Sequence, residues 1–184
     1  MGQLSYVVVG AMLANAAGIV GAAMQIATHA MGKITLFFCA GAIYVAAHKT
    51  EISDMRGLGY KMPFTFGAFF VGAVSIIGLP PLAGSWAKWH LMLGSIDASQ
   101  WLIVAALLLS SLLNIAYLIP VAARAFYMSP DISSAANNQP TKIEEAPLFC
   151  VVPLCLTATG CLLLFIFGDA LDHLISLIPL KAVQ

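Results

Sequence analysis

Between Pro63 and Ile96 the chain carries a single charged side chain, Lys88, and it follows closely on a pair of prolines. The stretch Gly78-Leu79-Pro80-Pro81-Leu82-Ala83-Gly84-Ser85-Trp86-Ala87-Lys88-Trp89-His90 limits the possible folds more than any other. Pro80 and Pro81 remove two backbone donors and clash with a continuing helix. Gly78 and Gly84 loosen the chain on either side. The flanking residues are apolar, so the break is expected at membrane depth. There, freed backbone carbonyls can be satisfied only by protein or by water in a cavity, and a lysine faces the same interior. A discontinuous helix of this kind is a device for ion and proton sites in transporters. The alternative is a helical hairpin whose lysine snorkels to the membrane surface.

The chain has too little polar surface to cover itself in water. Of its 184 residues, 61% are hydrophobic and 9% are charged, with a mean hydropathy of +0.95. A soluble domain carries about 25% charged residues, so an integral membrane protein in contact with the lipid bilayer is expected. The net charge of zero gives no case for nucleic acid as a partner. Period-two alternation is missing, which argues against a membrane barrel. The four cysteines (Cys39, Cys150, Cys155, Cys161) lie in apolar runs at spacings that match no zinc or redox pattern. They read as small packing residues, and neither a metal nor a cofactor is expected.

Gln3 to Ala14 is apolar and helical in type, and stops at Asn15-Ala16-Ala17-Gly18. Twelve residues rise about 18 Å, short of the roughly 30 Å hydrocarbon core, so a truncated first helix is expected. The run 19–47 is long enough to span with tilt. Gln25, His29 and Lys33 recur at intervals of four near its middle and share one face. Such a stripe reads as a relay of a histidine that titrates near neutrality and a lysine. It also reads as interhelical hydrogen bonding; the cost of a lysine at mid-depth favours the relay.

Residues 48–62 are polar and charged. The arms of the broken element are 63–79 and 82–96. Counted as one crossing over 63–97, they put Lys49, Arg56, Lys61, Arg124 and Lys142 on one side of the membrane. The opposite connection, Asp97 to Gln100, has no lysine or arginine. A hairpin would divide the basic residues, so the charge rule favours one broken crossing. Helix 101–127 has Trp101 and Tyr127 at its ends. Its Ser110, Asn114 and Tyr117 share a face, either lining water or packing. Residues 128–145 read as a polar loop, and 146–184 as a final transmembrane helix and tail with Asp169, Asp172 and His173 in solvent. The expected fold is all-α: a polytopic transmembrane helical bundle with a Pro-broken discontinuous helix.

Three stretches resemble a known family: Thr28-His29-Ala30-Met31-Gly32-Lys33-Ile34-Thr35-Leu36-Phe37-Phe38, then Arg56-Gly57-Leu58-Gly59-Tyr60-Lys61-Met62-Pro63, then the Pro-Pro stretch itself. They are similar to the proton-translocating antiporter-like family. It comprises the large subunits of Mrp-type multisubunit sodium/proton antiporters and the antiporter-like subunits of respiratory complex I and membrane-bound hydrogenases. The wording of the Pro-Pro stretch and of Ser110-Ser111-Leu112-Leu113-Asn114-Ile115-Ala116-Tyr117 is most similar to the D-type large subunit of the Mrp antiporters.

The resemblance implies two inverted five-helix repeats, of which residues 1–127 would be part of the second. It implies that Lys88 holds a proton on the discontinuous helix, and that Lys33 and His29 precede it on a central hydrophilic axis. A second histidine stands at the position of Gln25 in some relatives. Relatives run to about 500 residues, so the resemblance implies that a first repeat is missing here. The implied partners are other antiporter or respiratory-complex membrane subunits in a bacterial inner membrane, including a polypeptide that supplies the missing N-terminal repeat. Three functions are therefore expected in this order: a proton-translocating part of a cation/proton antiporter, an antiporter-like subunit of an NADH-quinone oxidoreductase or hydrogenase, and a non-conducting structural fragment. No nucleotide loop or nucleophile constellation points to an enzyme acting alone.

Overall fold

The computed structural model describes residues 2–127 and 145–177. All but the last residue of the expected polar loop, and the end of the tail, lie outside the described residues. Every regular element among those described is helical: α1 Gly2–Met12, α2 Ala16–Ala47, a 3-10 turn Ile52–Met55, α3 Leu58–Lys61, α4 Pro63–Ile77, α5 Gly84–Asp97, α6 Trp101–Tyr127, α7 Leu148–Ile166 and α8 Gly168–Ser176. Helices α2, α6 and α7 are each long and apolar enough to cross a membrane. The protein is an integral membrane bundle.

The organising helix is α2. It begins before its long apolar run because Asn15 caps it: the side-chain oxygen accepts from the Gly18 N–H at 2.8 Å. An asparagine satisfies one of the donors a helix start leaves free. The other end of the same amide donates to the Gly94 carbonyl at 2.6 Å, so one side chain starts α2 and holds the end of α5.

Helices α4 and α5 lie end to end along α2. Met62 and Phe66 pack with Cys39, Ala42 and Ile43. Gly72 and Ile76 meet Gly32, Leu91 meets Gly21, and Gly94 meets Gly18. Each step forward from 62 to 94 meets a residue further back along α2, so the two arms form one interrupted antiparallel crossing. Small residues at these contacts let the backbones approach, as membrane helices require. The basic ends gather accordingly. The Gly57 N–H donates to the Arg124 carbonyl at 3.4 Å, which puts Arg56 and Arg124 at one end of the bundle and the 97–100 connection at the other.

Helix α7 packs on α2 and α4 through Leu154 and Ala158. Shortly before it, Glu145 forms a tie no local pattern announces. Met62, at the start of α4, supplies no side-chain cap. Instead the Glu145 carboxylate accepts from the Phe64 N–H at 2.7 Å and the Thr65 hydroxyl at 2.8 Å. A negative charge at a helix start also suits the helix dipole. Glu145→Ala removes a cap, worth about 1 kcal/mol, and leaves the fully buried Thr65 hydroxyl unpaired. That adds a penalty of about 1–3 kcal/mol. A lowered thermal unfolding midpoint of the purified chain is the expected result.

Helix α8 is an amphipathic cover. Ile175 and Leu171 pack against Val20, Met24 and Ala87, and Gly168 lies against the Trp86 indole. Asp169 and His173 are exposed, as expected. The Asp172 side chain also stays largely in solvent, and in addition its Oδ1 lies 3.8 Å from His90 Nε2 on α5. The cysteines are free thiols, with Cys39 and Cys161 buried.

Candidate functional site

The break is built from two helix ends in contact. Helix α4 stops at Gly78, whose φ of +84° suits a residue without Cβ. The Gly78 and Leu79 N–H groups both donate to the Val74 carbonyl, at 3.0 and 3.3 Å. The Pro80–Pro81 bond is cis, and both prolines are exposed at the turn. Gly84, buried at the start of α5, sits directly on the Ser75 backbone: a Cβ there would lie 1.9 Å from the Ser75 oxygen. Pro80, Pro81 and Gly84 thus divide the labour. The prolines stop the helix, and the glycine lets the second arm close onto the first.

One turn into α5, Lys88 bends back across the break. Its Nζ donates to the Ile77 carbonyl at 2.6 Å and to Ser111 Oγ on α6 at 2.9 Å. It also lies over the Tyr6 ring, 5.1 Å from the centroid. The Ile77 carbonyl is one of the acceptors a helix end leaves free, at the negative pole of the dipole. All three partners are neutral. They hold the ammonium by a helix end, a hydroxyl and a π face, and among the described residues it has no carboxylate partner. Tyr6 is in turn fixed from α6, its hydroxyl donating to Ser110 Oγ at 2.6 Å.

A cavity of about 460 Å³ opens between α1, α2, α4 and α6. His29, Lys33, Asn114 and Tyr117 line it together with Gln3 and Phe37. The Tyr117 hydroxyl donates to Asn114 Oδ1 at 2.7 Å. His29 Nδ1 and Asn114 Nδ2 are buried polar atoms without a hydrogen-bond partner among the described residues. Most of its wall is apolar, but it is large enough for several waters, and these side chains supply polar partners for them. Lys33 is exposed at its edge, with Nζ 5.8 Å from the Phe37 ring centre.

Four of the residues singled out in the sequence, His29, Lys33, Asn114 and Tyr117, therefore share one cavity. Gln25 does not line it. It is buried behind, its amide nitrogen donating to Gln3 Oε1 at 3.0 Å, and Gln3 reaches the cavity in its place. Lys88 forms a separate cradle. Tyr6, Ser111 and the Ile77 carbonyl escaped the sequence reading. Nothing local pairs Tyr6 with Ser110, which lies 104 residues away. Ser111 was visible only as the neighbour of Ser110. Helix α6 serves both places: Ser110 and Ser111 face the Lys88 cradle, and Asn114 and Tyr117 face the cavity one turn on.

The family model described as NADH:quinone oxidoreductase/Mrp antiporter, TM, matches residues 1–114. The chain belongs to this family. The N subunit of the NADH-quinone oxidoreductase of Desulforudis audaxviator is 34% identical over 173 residues, covering 91% of this chain and 34% of the relative. The D subunit of the Na(+)/H(+) antiporter of Alkalihalophilus pseudofirmus is 32% identical over 125 residues, covering 68% of this chain and 25% of the relative. The fold is that of a chain in the Mrp complex from Dietzia sp. DQ12-45-1b, with a TM-score of 0.81 at 21% identity over 94% of this chain and 39% of that one. The chain thus spans about a third or less of the length of the two sequence relatives.

Proposed function

We propose that this chain is part of a proton-translocating membrane subunit of a multisubunit cation/proton antiporter. In this reading Lys88 is the proton-holding group, and Lys33 and His29 exchange protons with it through water in the cavity. The observation that carries it is the Lys88 cradle: a lysine at a helix break, held among the described residues by the Ile77 carbonyl, the Ser111 hydroxyl and the Tyr6 ring. Residues 1–127 belong to the second of two repeats. The chain's partners are the neighbouring membrane subunits of such a complex. The end bearing Arg56, Lys61 and Arg124 faces the cytoplasm by the positive-inside rule.

The experiment is cation-driven proton exchange in everted vesicles that contain the assembled complex. Lys33→Ala and His29→Gln each slow it by about 100-fold, the usual worth of a positioned proton carrier, with assembly unchanged. Wild-type rates in both variants would remove the cavity from the pathway.

The 34% identity to the NADH-quinone oxidoreductase relative over 91% of the chain favours a second reading. Here the same chemistry operates in an NADH-quinone oxidoreductase. Affinity purification of the tagged chain from native membranes separates the two. Recovery with small hydrophobic antiporter subunits supports the first reading, and recovery with quinone-reducing subunits supports the second.

A further inference from the structure

We infer that Ser111 passes the proton between Lys88 and the cavity, and that the Tyr6–Ser110 bond fixes the geometry that lets it do so. This inference rests on the reading of Lys88 as a proton-holding group.

The cavity reaches Asn114 and stops there; neither Ser111 nor Lys88 lines it. Ser111 lies three residues before Asn114 on the same helix, which makes the two side chains neighbours at about 5–6 Å between Cβ atoms. The two side chains make no hydrogen bond to each other, and one water between them would bridge the pair. Asn114 is prepared to hold such a water. Tyr117 occupies its Oδ1, which fixes the amide orientation, and Nδ2 is a buried donor with no partner among the described residues. A water that accepts from Nδ2 keeps its second lone pair for the Ser111 O–H and turns its own hydrogens away from Asn114 into the cavity. On its other side Ser111 Oγ already accepts from Lys88 Nζ at 2.9 Å. Ser111 is thus the only hydroxyl in hydrogen-bond contact with Lys88 among the described residues.

The step conserves protons. As Lys88 releases, an Nζ–H bond breaks and a new O–H bond forms at Ser111. The original Ser111 O–H bond breaks at the same time, and its proton passes to the water beside Asn114. The serine is neutral before and after, Lys88 becomes the neutral amine, and the excess proton enters the cavity. Loading Lys88 is the reverse. A hydroxyl suits the task because it donates and accepts at once. Tyr6 and Ser110 play a different part. Tyr6 is 4% exposed, its ring lies under the ammonium, and its hydroxyl bond to Ser110 pins α1 to α6 at the level of Ser111. Tyr6 is a positioning residue.

The test is proton exchange by the assembled complex in everted vesicles, in H2O and D2O, across a cation titration. Ser111→Ala is expected to slow exchange at least tenfold, leave the half-saturating cation concentration unchanged and alter the solvent isotope effect. Ser111→Thr retains the hydroxyl and is expected to stay within about threefold of wild type. Tyr6→Phe, which keeps the ring and removes the bond to Ser110, is expected to fall between them. A Ser111→Ala rate within twofold of wild type overturns the inference. So does a Ser111→Thr rate as low as that of Ser111→Ala in an assembled complex, because the loss then comes from packing. Lys88→Ala, run alongside, separates the two levels. If it leaves exchange intact, the reading of Lys88 itself fails; if it abolishes exchange while Ser111→Ala does not slow it, only the relay through Ser111 fails.

Discussion

Lys88→Ala is expected to abolish cation-driven proton exchange while the complex still assembles. The substitution removes the only lysine or arginine in the broken crossing and leaves its frame in place. Packing of α4 and α5 on α2 depends on Phe66, Ala87, Leu91 and the small residues along α2, none of which touches the ammonium. The structural cost is the loss of the hydrogen bonds to Ile77 and Ser111, about 1.5–3 kcal/mol each for a charged donor, while the packing along α2 is untouched. Lys88→Arg sharpens the result. A guanidinium keeps the charge and the donors but does not give up its proton in proteins, so this variant is expected to be as inactive as the alanine. Exchange by Lys88→Arg at more than a tenth of the wild-type rate would mean that Lys88 contributes charge alone. Native gel electrophoresis of the solubilised complex checks assembly in both.

Gly84→Ala is expected to be strongly destabilising, more so than alanine at the other glycines whose surroundings are described. The added Cβ would lie 1.9 Å from the Ser75 oxygen and 3.1 Å from its carbonyl carbon. These are backbone atoms of a buried helix and cannot rotate away as a side chain would. Overpacking in a tight core costs about 1–3 kcal/mol and sometimes more, and this contact belongs at or above the upper figure. Relief requires the two arms to separate, which also draws Lys88 away from the Ile77 carbonyl. Loss of thermal stability and loss of exchange should therefore appear together. Gly67→Ala is the matched control: it lies in α4 with open space around its Cβ position, and alanine is the better helix former by about 1 kcal/mol. A Gly84→Ala chain as stable as the Gly67→Ala chain would mean that the arms are not in contact.

Much of this architecture was legible because the membrane makes local sequence decisive. A chain so apolar has few ways to satisfy its backbone other than helices, and two prolines within an apolar run mark a break wherever they occur. Period 3.6 put His29 and Lys33 on one face, and Asn114 and Tyr117 on another, before any packing was known. The distribution of basic residues pointed to one broken crossing, and the antiparallel order of contacts along α2 has the same form. Element ends were less legible, because caps decide them: Asn15 starts α2 ahead of its apolar run by also bonding Gly94 on a helix 79 residues away.

The sequence by itself determined that this is an all-α membrane bundle, where its crossing is interrupted, and which side chains share a helix face. Those properties follow from hydrophobicity and helical repeat, and both are local. Only the tertiary structure decided which faces meet. It set Lys88 against Ile77, Ser111 and Tyr6, placed Gln25 behind the cavity rather than in it, sent Glu145 to cap α4, and turned Asp172 toward His90. Each of these contacts joins residues whose distance along the chain carries no information about their distance in space. They are fixed by how small residues let α1, α4, α5 and α6 close around α2, and packing of that kind has no signature in any single stretch.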